Sequence, residues 1–420
     1  MNALRIRGGK RLEGEWRIHS AKNAVLPILA ASILSREETV LTGCPQLSDV
    51  DYMGEILKTL GCKVTCANGN IAVNPDSLCS WEMPDALSKK IRSSIFMLGP
   101  IVARFRKATV TFPGGCEIGL RPIDLHLSGL RQLGVVVAEE GGVIHCDGKN
   151  MRAGTVHFDY PSVGATENVM MAAVLLRGKT VVHNAAREPE IVDLERFLNR
   201  MGAKVTGAGT HTIEIEGAEQ LHGVVYQPMP DRIVAGTLLA AAAATGGSIR
   251  LGNTPVQDMY AIFQKLREMG CVLDIKADQA RLQAPQRLHA FDLLQTQPHP
   301  GFPTDMQVQM LALAAAAKGT SVVVENVFEN RFTHAGDLNR MGAQVMVKGR
   351  TAIVKGAEKL FGARVCARDL RGGAALAIAG LRAEGETIIE HAELIDRGYD
   401  HLERMLSALG ADACRVELDG

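Results

Sequence analysis

The sequence predicts an α/β protein of two domains, in which buried helices lie at the centre of each domain and sheets lie outside them. Three observations lead to this prediction: the length of the chain, a sixfold internal repeat, and helices that are apolar on nearly every side. At 420 residues the chain is too long for one compact core, which favours two large domains.

The repeat consists of a Leu-Gly or Met-Gly step followed by a strand-like segment. Its glycines are Gly61, Gly134, Gly202, Gly270, Gly342 and Gly410. A second series of strand-like segments begins at residues 39, 109, 180, 248, 321 and 387. One member of each series therefore occurs in every repeat along the whole chain. Self-similarity at a fixed period indicates repeated supersecondary units. Six units divide naturally into two domains of three.

Each unit translates into the same order of elements. It begins with an Ala-rich helix such as NAVLPILAASIL, which is apolar on most sides and therefore buried. A β-branched strand follows, and then an amphipathic helix such as EIVDLERFLNRMG that ends on glycine. A strand pair closes the unit, as around Asn68-Gly69, where the dipeptide favours a hairpin. A solenoid of stacked repeats is the alternative, but the helices of a solenoid usually leave one face exposed to water, whereas these helices have little polar surface.

Composition excludes several classes of function. Lys plus Arg and Asp plus Glu both number 46, so no overall field attracts nucleic acid or acidic membranes. We see no segment of signal-peptide type at the start, and the most apolar stretch, VAGTLLAAAAA, is too short to span a bilayer. The nine cysteines are scattered without a CxxC pair, which indicates a reduced, cytoplasmic protein. No motif for a metal or a redox cofactor is present, so we expect no cofactor.

Polar clusters stand at the predicted start of each buried helix. They contain Lys22 and Asn23, Arg92, Ser162, Asp231 and Arg232, Thr304 and Asp305, and Asp369 and Arg371. Helix N-termini bind anions, so three of them in each domain, facing one another across a cleft, predict a site for a heavily phosphorylated substrate. The structural alternative is that Thr304-x-x-Gln307 forms a capping box and that Asp305 complements the helix dipole.

Cys116 lies in an unusual setting for a cysteine. The stretch FPGGCEIGLRPIDLH places it after two glycines and five residues before Arg121. Glycines favour a turn, and an exposed thiol near cations is reactive, so the pattern indicates a cysteine with a chemical use that this stretch alone does not identify.

Several longer stretches together identify a family resemblance. They are HSAKNAVLP, PGGCEIGLRPIDLH, SVGATEN, NAAREPEIVDLERFL, PHPGFPTDMQ, VFENRF, RDLRGGAALAIAG and IDRGYDHLE. With them the chain resembles the enolpyruvyl transferases from Arg5 to about Ala411, and among these the branch that acts on UDP-N-acetylglucosamine. The resemblance implies two inside-out α/β barrel domains of three repeats each. Residues 22–229 form the domain with the Cys116 loop, and residues 1–21 plus 230–420 form the domain with Asp305 and Arg397.

The resemblance also implies an activity. The enolpyruvyl group of phosphoenolpyruvate moves to the 3′-hydroxyl of UDP-N-acetylglucosamine with release of phosphate, the first committed step of peptidoglycan synthesis in the cytoplasm. Both partners are small molecules, and neither nucleic acid nor a membrane is involved.

Residue roles follow from the same resemblance. Cys116 protonates C3 of phosphoenolpyruvate, and Asp305 is the base for the sugar hydroxyl. Lys22, Asn23, Arg121 and Arg397 bind phosphoenolpyruvate, with Lys22 and Arg397 also catalytic. The residues expected to bind the nucleotide sugar are Arg92, Arg121, Pro122, Ile123, Asp124, Leu125, Tyr160, Pro161, Ser162, Val163, Gly164, Asp305 and Val327. Arg331, Asp369 and Arg371 are expected to complete the cleft.

Two other functions remain open at this point. The relative that acts on 3-phosphoshikimate shares the fold and phosphoenolpyruvate, but the PGGC loop and the RPIDLH segment are not its pattern. A thiol-alkylating inhibitor such as fosfomycin should act on this chain and not on that relative. A non-catalytic paralogue that binds a nucleotide sugar would be expected to lack Cys116, Lys22 or Asp305, and all three are present.

Overall fold

The computed structural model describes residues 2–112 and 123–418. Cys116, Arg121 and Pro122 lie outside the described residues, so the predictions made for them are not examined by the structure.

The helices of the described residues alternate with short strands along the whole chain. Helices α1 to α13 are Lys22–Ala31, Ser48–Thr59, Asp85–Ser88, Leu98–Phe105, Asp124–Gln132, Val163–Ala173, Pro189–Arg200, Arg232–Thr245, Tyr260–Glu268, Thr304–Ala314, Ala335–Arg340, Leu370–Arg382 and Leu402–Ala408. Short 3₁₀ helices are Ser32–Leu34, Arg92–Met97, Val256–Asp258 and Ala392–Arg397. Strands β1 to β23 are Asn2–Arg7, Glu13–Arg17, Thr39–Leu41, Lys63–Ala67, Asn70–Asn74, Lys107–Thr111, Val136–Glu140, Val143–Asp147, Thr155–His157, Lys179–His183, Lys204–Thr206, Thr212–Glu216, Val225–Tyr226, Ser248–Gly252, Val272–Lys276, Gln279–Gln283, Leu293–Gln295, Thr320–Val324, Gln344–Lys348, Thr351–Lys355, Arg364–Cys366, Glu386–Glu390 and Asp412–Glu417.

The described residues divide into two compact units. We call residues 20–112 and 123–229 the first unit, and residues 2–19 and 230–418 the second unit. The first unit holds the sheets β13-β3-β5-β4, β6-β8-β7 and β11-β12-β10-β9. The second unit holds β15-β16-β14-β2, β17-β18-β20-β19 and β21-β22-β1-β23.

The sheets repeat one pattern. In the sheet of β14, for example, β16 pairs with β14 antiparallel, β2 pairs with it parallel, and β15 closes a hairpin with β16. The sheet β6-β8-β7 has three strands, and a single parallel bridge between Glu82 and Thr109 stands where the fourth strand would run. The repeated pattern confirms the sixfold organisation predicted from the sequence.

Buried helices occupy the core of each unit. In the second unit α8, α10 and α12 pack against one another, and Ala240 to Ala243 of α8 are 0–1% exposed. In the first unit α4 packs against α6, and α1 is buried over nearly all of its length. Sheets cover these helices, so the inside-out α/β architecture is confirmed. The second repeat differs in one respect: its buried helix begins as the 3₁₀ helix Arg92–Met97 before it continues as α4.

The six repeat glycines all end amphipathic helices in the left-handed conformation. Their φ angles lie between 90° and 108°. In every unit the residue after the glycine donates its N–H back to a carbonyl five positions earlier, as Cys62 does to Leu57 and Ala203 to Leu198. This is the Schellman arrangement, in which a side chain at the glycine position would be strained. The predicted hairpin is confirmed too, since Asn68 and Gly69 have φ of 53° and 73°.

Membrane insertion has no candidate segment here. Throughout residues 2–112 and 123–418, every helix is too short or too polar to cross a bilayer.

Candidate active site

Two buried helices of the second unit begin with an aspartate cap. The Asp231 carboxylate accepts from the N–H groups of Ile233 at 2.8 Å and Val234 at 2.9 Å at the start of α8. At the start of α12, Asp369 accepts from Arg371 N–H at 2.9 Å and Gly372 N–H at 3.0 Å. These bonds satisfy N–H groups that a buried helix end would otherwise leave unpaired. Both aspartates therefore shape the helix starts directly.

Asp305, in the first turn of α10, joins two buried arginines. Its Oδ1 accepts from Arg331 Nη2 at 2.7 Å, and its Oδ2 accepts from Arg371 Nη2 at 3.1 Å and Nε at 3.3 Å. The arginine side chains are only 2% and 3% exposed, whereas that of Asp305 is 26% exposed. The carboxylate is therefore the accessible member of this ion cluster, and its orientation is fixed by charge-assisted bonds on both oxygens.

Arg371 is held from a second side by Tyr399. The guanidinium lies 5.3 Å from the centre of the Tyr399 ring, and the Tyr399 hydroxyl is 2.9 Å from Thr237 Oγ1 and 3.2 Å from Gln309 Nε2. Burial alone would lower the pKa of Arg371, but Tyr399, Asp305 and Asp231 outweigh burial and raise that pKa above its ordinary value. Arg371 therefore remains a cation at neutral pH.

Sequence reasoning missed Thr237, Gln309 and Tyr399. Their signal was available, because Gln309 interrupts the apolar helix MQVQMLALAAAA and Tyr399 lies in the quoted stretch IDRGYDHLE. A polar residue inside a fully buried helix generally has a hydrogen-bonding role.

The capping-box interpretation of Thr304 is wrong. Helix α10 is preceded by Pro303 at its N-cap, without a side-chain cap bond, and Thr304 is already its first residue. The Thr304 hydroxyl instead donates to Glu325 Oε2 at 3.0 Å. A carboxylate outside the helix competes for the hydroxyl, and Gln307 is left inside the core.

Glu325 also organises the segment that contains Val327. Its Oε1 accepts from the N–H groups of Val327 at 2.8 Å and Phe328 at 3.1 Å, and from the Thr296 hydroxyl at 2.8 Å. Glu325 is fully buried. The predicted nucleotide-sugar residue Val327 is thus half-buried on a turn fixed by a carboxylate that the sequence analysis did not single out.

Arg397 ends the 3₁₀ helix Ala392–Arg397 and is half-buried. The residue before it, Asp396, accepts from Arg415 at 2.5 Å, and Arg415 also donates to Glu403 at 3.1 Å. These ion pairs anchor the turn from which Arg397 projects.

In the first unit Lys22 opens α1 and is paired with a buried aspartate. Its Nζ lies 2.8 Å from Asp49 Oδ2, and the two side chains are 10% and 3% exposed. Asp49 lies in the first turn of α2 and was not predicted as a site residue. The pair fixes the ammonium group, and the half-buried Asn23 follows it on the same helix.

A second network surrounds the residues predicted to bind the nucleotide sugar. Asn168 of α6 donates from Nδ2 to the Ile95 carbonyl at 3.0 Å and to His126 Nδ1 at 2.8 Å, while its Oδ1 accepts from Gly99 N–H at 2.7 Å. Burial, and then the charge of Arg92, lowers the pKa of His126 to about 3. His126 is therefore a neutral imidazole whose Nδ1 accepts and whose Nε2 carries the proton.

This network brings three predicted segments together. His126 follows Asp124 and Leu125 on α5, and Arg92 lies close enough to influence its pKa. A Cβ at Gly164 would lie 2.8 Å from His126 Cε1 and 3.2 Å from Phe96 Cε1, so only glycine fits there. Ser162 caps α6 by accepting from Ala165 N–H at 3.4 Å. His126, Arg92, Ser162 and Gly164 therefore meet at the start of α6.

The chemistry of this arrangement is that of anion binding and proton transfer. Each unit offers cations and helix N-termini for phosphates, and the second unit adds a fixed, partly accessible carboxylate. Among the side chains that the structure describes, no three His, Cys, Asp or Glu residues cluster as metal ligands would.

Comparison with known proteins gives one consistent result. The family model described as EPSP synthase (3-phosphoshikimate 1-carboxyvinyltransferase) matches residues 6–406. The chain is 51% identical to UDP-N-acetylglucosamine 1-carboxyvinyltransferase 2 of Caldanaerobacter subterraneus subsp. tengcongensis, over 99% of the chain and all of the relative. It is 47% identical to UDP-N-acetylglucosamine 1-carboxyvinyltransferase of Myxococcus xanthus, over 99% of each protein.

Solved structures share the fold at lower identity. An enolpyruvyl transferase of Streptomyces tendae superposes with a TM-score of 0.89 at 24% identity, over 99% of this chain and 98% of that one. An EPSP synthase of Acinetobacter baumannii superposes with a TM-score of 0.76 at 17% identity, over 99% of this chain and all of that one.

Proposed function

Because the chain belongs to the EPSP synthase family, we propose that it transfers the enolpyruvyl group of phosphoenolpyruvate to the 3′-hydroxyl of UDP-N-acetylglucosamine and releases phosphate. Full-length relatives at 45–51% identity bear the name of this activity. The structural observation that carries the proposal is the Asp305 carboxylate, which is partly accessible and fixed by two buried arginines.

Phosphoenolpyruvate binding is assigned to Lys22, Asn23, Arg121 and Arg397. The contact between Lys22 and Asp49 supports this role, since a lysine held at 2.8 Å by a buried carboxylate presents its charge in one position. A fixed cation loses less conformational entropy on binding a phosphate than a mobile one.

Nucleotide-sugar binding is assigned to Arg92, the segments 121–125 and 160–164, Asp305 and Val327. The start of α6 offers N–H groups and the positive end of the helix dipole to a diphosphate. The neutral His126 adds no charge there, so the anion is attracted by the helix start and by arginine.

The reaction proceeds by addition and then elimination. Asp305 removes the proton of the sugar hydroxyl as its oxygen attacks C2 of phosphoenolpyruvate, and the Cys116 thiol protonates C3 to give a tetrahedral ketal. Loss of phosphate and of one proton from C3 restores the double bond and yields the enolpyruvyl ether. Lys22 and Arg397 stabilise the charge on the departing phosphate. Arg331 and Arg371 keep Asp305 oriented toward the hydroxyl, and Asp369 shapes the start of α12.

In this assignment the chain acts in the cytoplasm at the first committed step of peptidoglycan synthesis, and it supports cell-wall growth and division. Fosfomycin would inhibit it by alkylating Cys116.

The test measures phosphate release with phosphoenolpyruvate and one of two acceptors. We expect release with UDP-N-acetylglucosamine and none with shikimate 3-phosphate or with either substrate alone. Asp305→Asn should lower kcat about 100-fold or more, as loss of a general base does. Glu329→Gln, which removes an exposed carboxylate paired with Arg350 in the same unit, is the matched control and should leave kcat unchanged. Release with shikimate 3-phosphate instead would overturn the proposed acceptor.

A further inference from the structure

One sheet of the second unit carries an apolar row across its outer face. In the sheet β17-β18-β20-β19, Leu293 lies opposite Val322, Val322 opposite Ile353, and Ile353 opposite Met346. Leu293, Ile353 and Met346 are 44%, 45% and 69% exposed, and Val322 is half-exposed. Four aliphatic side chains therefore form a continuous row on the solvent side of all four strands.

The fold does not require this row. In the neighbouring sheet of the same unit, the equivalent positions across β2, β14, β16 and β15 are Glu15, Arg250, Arg281 and Asp274. That row is charged throughout, and Arg250 pairs with Glu15 at 3.0 Å. The same backbone pattern is therefore stable with ions at every position of the row.

The equivalent rows of the remaining sheets each include a polar side chain. Examples are Glu214 opposite Val181 in the sheet of β10, and His145 opposite Thr109 in the sheet of β6. Only the row across β17-β18-β20-β19 is aliphatic throughout among the described sheets. A contiguous exposed apolar patch with polar surroundings is typical of an interaction site.

The two rows that flank the apolar row carry positive charge only, whereas Asp292 and the Lys265–Glu268 ion pair lie beside its Leu293 end. One flanking row holds Thr320, Lys355 and Gln344, and the other holds Gln295, Val324, Thr351 and Lys348. The ionisable side chains of these three rows are therefore two lysines. A partner with carboxylates beside an apolar stripe complements such a face.

We propose that this face docks a protein partner through an amphipathic helix whose apolar side is bordered by acidic residues. The face consists of the row Leu293, Val322, Ile353 and Met346 with the flanking Lys348 and Lys355. Adjacent strands lie about 4.8 Å apart and a helix turn rises about 5.4 Å, so one helix laid along the row places an apolar side chain near each strand.

Two other occupants fit the face less well. A second copy of the chain would bring the same two lysines on its flanking rows, so like charges would repel along the sides of the row. Recruitment to anionic lipid generally uses about four to eight basic residues, and the face offers two. The charge pattern therefore favours an acidic protein segment.

The test uses designed peptides and a substitution taken from the neighbouring sheet. The probe is a fluorescently labelled amphipathic helical peptide with leucines on one side and glutamates bordering them, and its partner peptide has lysines in place of the glutamates. The variant Met346→Asp/Ile353→Arg copies the Asp274 and Arg281 pair into the row. Since the neighbouring sheet is stable with that pair, we expect the variant to fold and to keep full enolpyruvyl transfer.

Fluorescence anisotropy then distinguishes the outcomes. We expect the full-length chain to bind the glutamate peptide at least tenfold more tightly than the lysine peptide, and the double variant to lose tenfold or more of that affinity. Arg281→Gln on the neighbouring sheet is the control and should change nothing. The milder Leu293→Gln keeps the test valid if the double variant misfolds. Equal binding of both peptides, or binding that survives both variants, would overturn the proposal.

Two further readouts identify the rival occupants. If light scattering shows a dimer of the wild type and a monomer of the double variant, the occupant of the face is a second copy of the chain and not an acidic partner. If the wild type sediments with phosphatidylserine vesicles and the double variant does not, the occupant of the face is a membrane. Either result would refute the proposal as stated.

Discussion

Removing the Asp305 carboxylate should lower the stability of the second unit. In Asp305→Ala, Arg331 and Arg371 lose the acceptor that they reach at 2.7 Å and 3.1 Å. Both guanidiniums are almost completely buried, so water that enters at the partly exposed position of Asp305 replaces the carboxylate only in part. The variant is therefore left with two buried charges that lack this partner.

The expected magnitude follows from that burial. Breaking a buried ion pair by removing one partner costs about 3–5 kcal/mol. Asp305 itself is 26% exposed, and Tyr399 still contacts Arg371, so we take the lower end, about 3 kcal/mol. The control is Glu329→Ala, because its pair with Arg350 has both side chains nearly half exposed. An exposed pair of this kind contributes about 0–1 kcal/mol.

The assay follows the second unit alone. Each unit contains one of the two tryptophans, Trp16 in the second and Trp81 in the first. In a Trp81→Phe background, urea unfolding monitored by fluorescence reports the free energy of unfolding of the second unit. A loss in Asp305→Ala no larger than that in Glu329→Ala would refute the reasoning, because the two arginines would then not depend on the carboxylate.

Three further predictions concern the first unit and the cysteines. Since the native pKa of His126 is about 3 and the unfolded value is about 6.5, the unfolded state binds the extra proton between these values, and stability falls as the pH falls below 6.5. Between pH 6.5 and pH 5 the wild type should lose about 1.6 kcal/mol that His126→Gln does not lose, by urea unfolding in a Trp16→Phe background with Trp81 as the reporter. Asp49→Asn should raise the KM for phosphoenolpyruvate several-fold in the phosphate-release assay, because Lys22 loses its charged anchor; an unchanged KM would argue against the role of that pair. Burial raises the pKa of the Cys146 and Cys271 thiols to about 12, so both should resist iodoacetamide in the native protein and react after unfolding, as read by peptide mass spectrometry; rapid native labelling would contradict their burial.

The repeat was predictable from sequence because it depends on local chemistry. A left-handed helix end requires glycine, so Gly61 and its five counterparts mark the same point in each unit. The buried helices were equally visible, since an Ala-rich segment without a polar face, as in α8, has nowhere to lie except in a core.

Part of the candidate site was not predictable in the same way. Asp49, Glu325 and Asn168 meet their partners only after folding; Asp49 and Glu325 lie in no motif, and the stretch SVGATEN contains Asn168 without indicating its partners. The capping box failed for a related reason: the pattern Thr304-x-x-Gln307 is local, but the Thr304 hydroxyl is bound by Glu325, 21 residues away. Long-range contacts override local propensity where a helix start is buried.

The most direct test of the proposed reaction is to run it in deuterated water and to measure the mass of the product by mass spectrometry. The wild type with phosphoenolpyruvate and UDP-N-acetylglucosamine should give an enolpyruvyl ether that carries deuterium on its methylene carbon, because C3 becomes a methyl group in the ketal before a proton is lost. Cys116→Ala should give no such product. A wild type that yields no ether from these two substrates, or an unimpaired Cys116→Ala, would contradict the account.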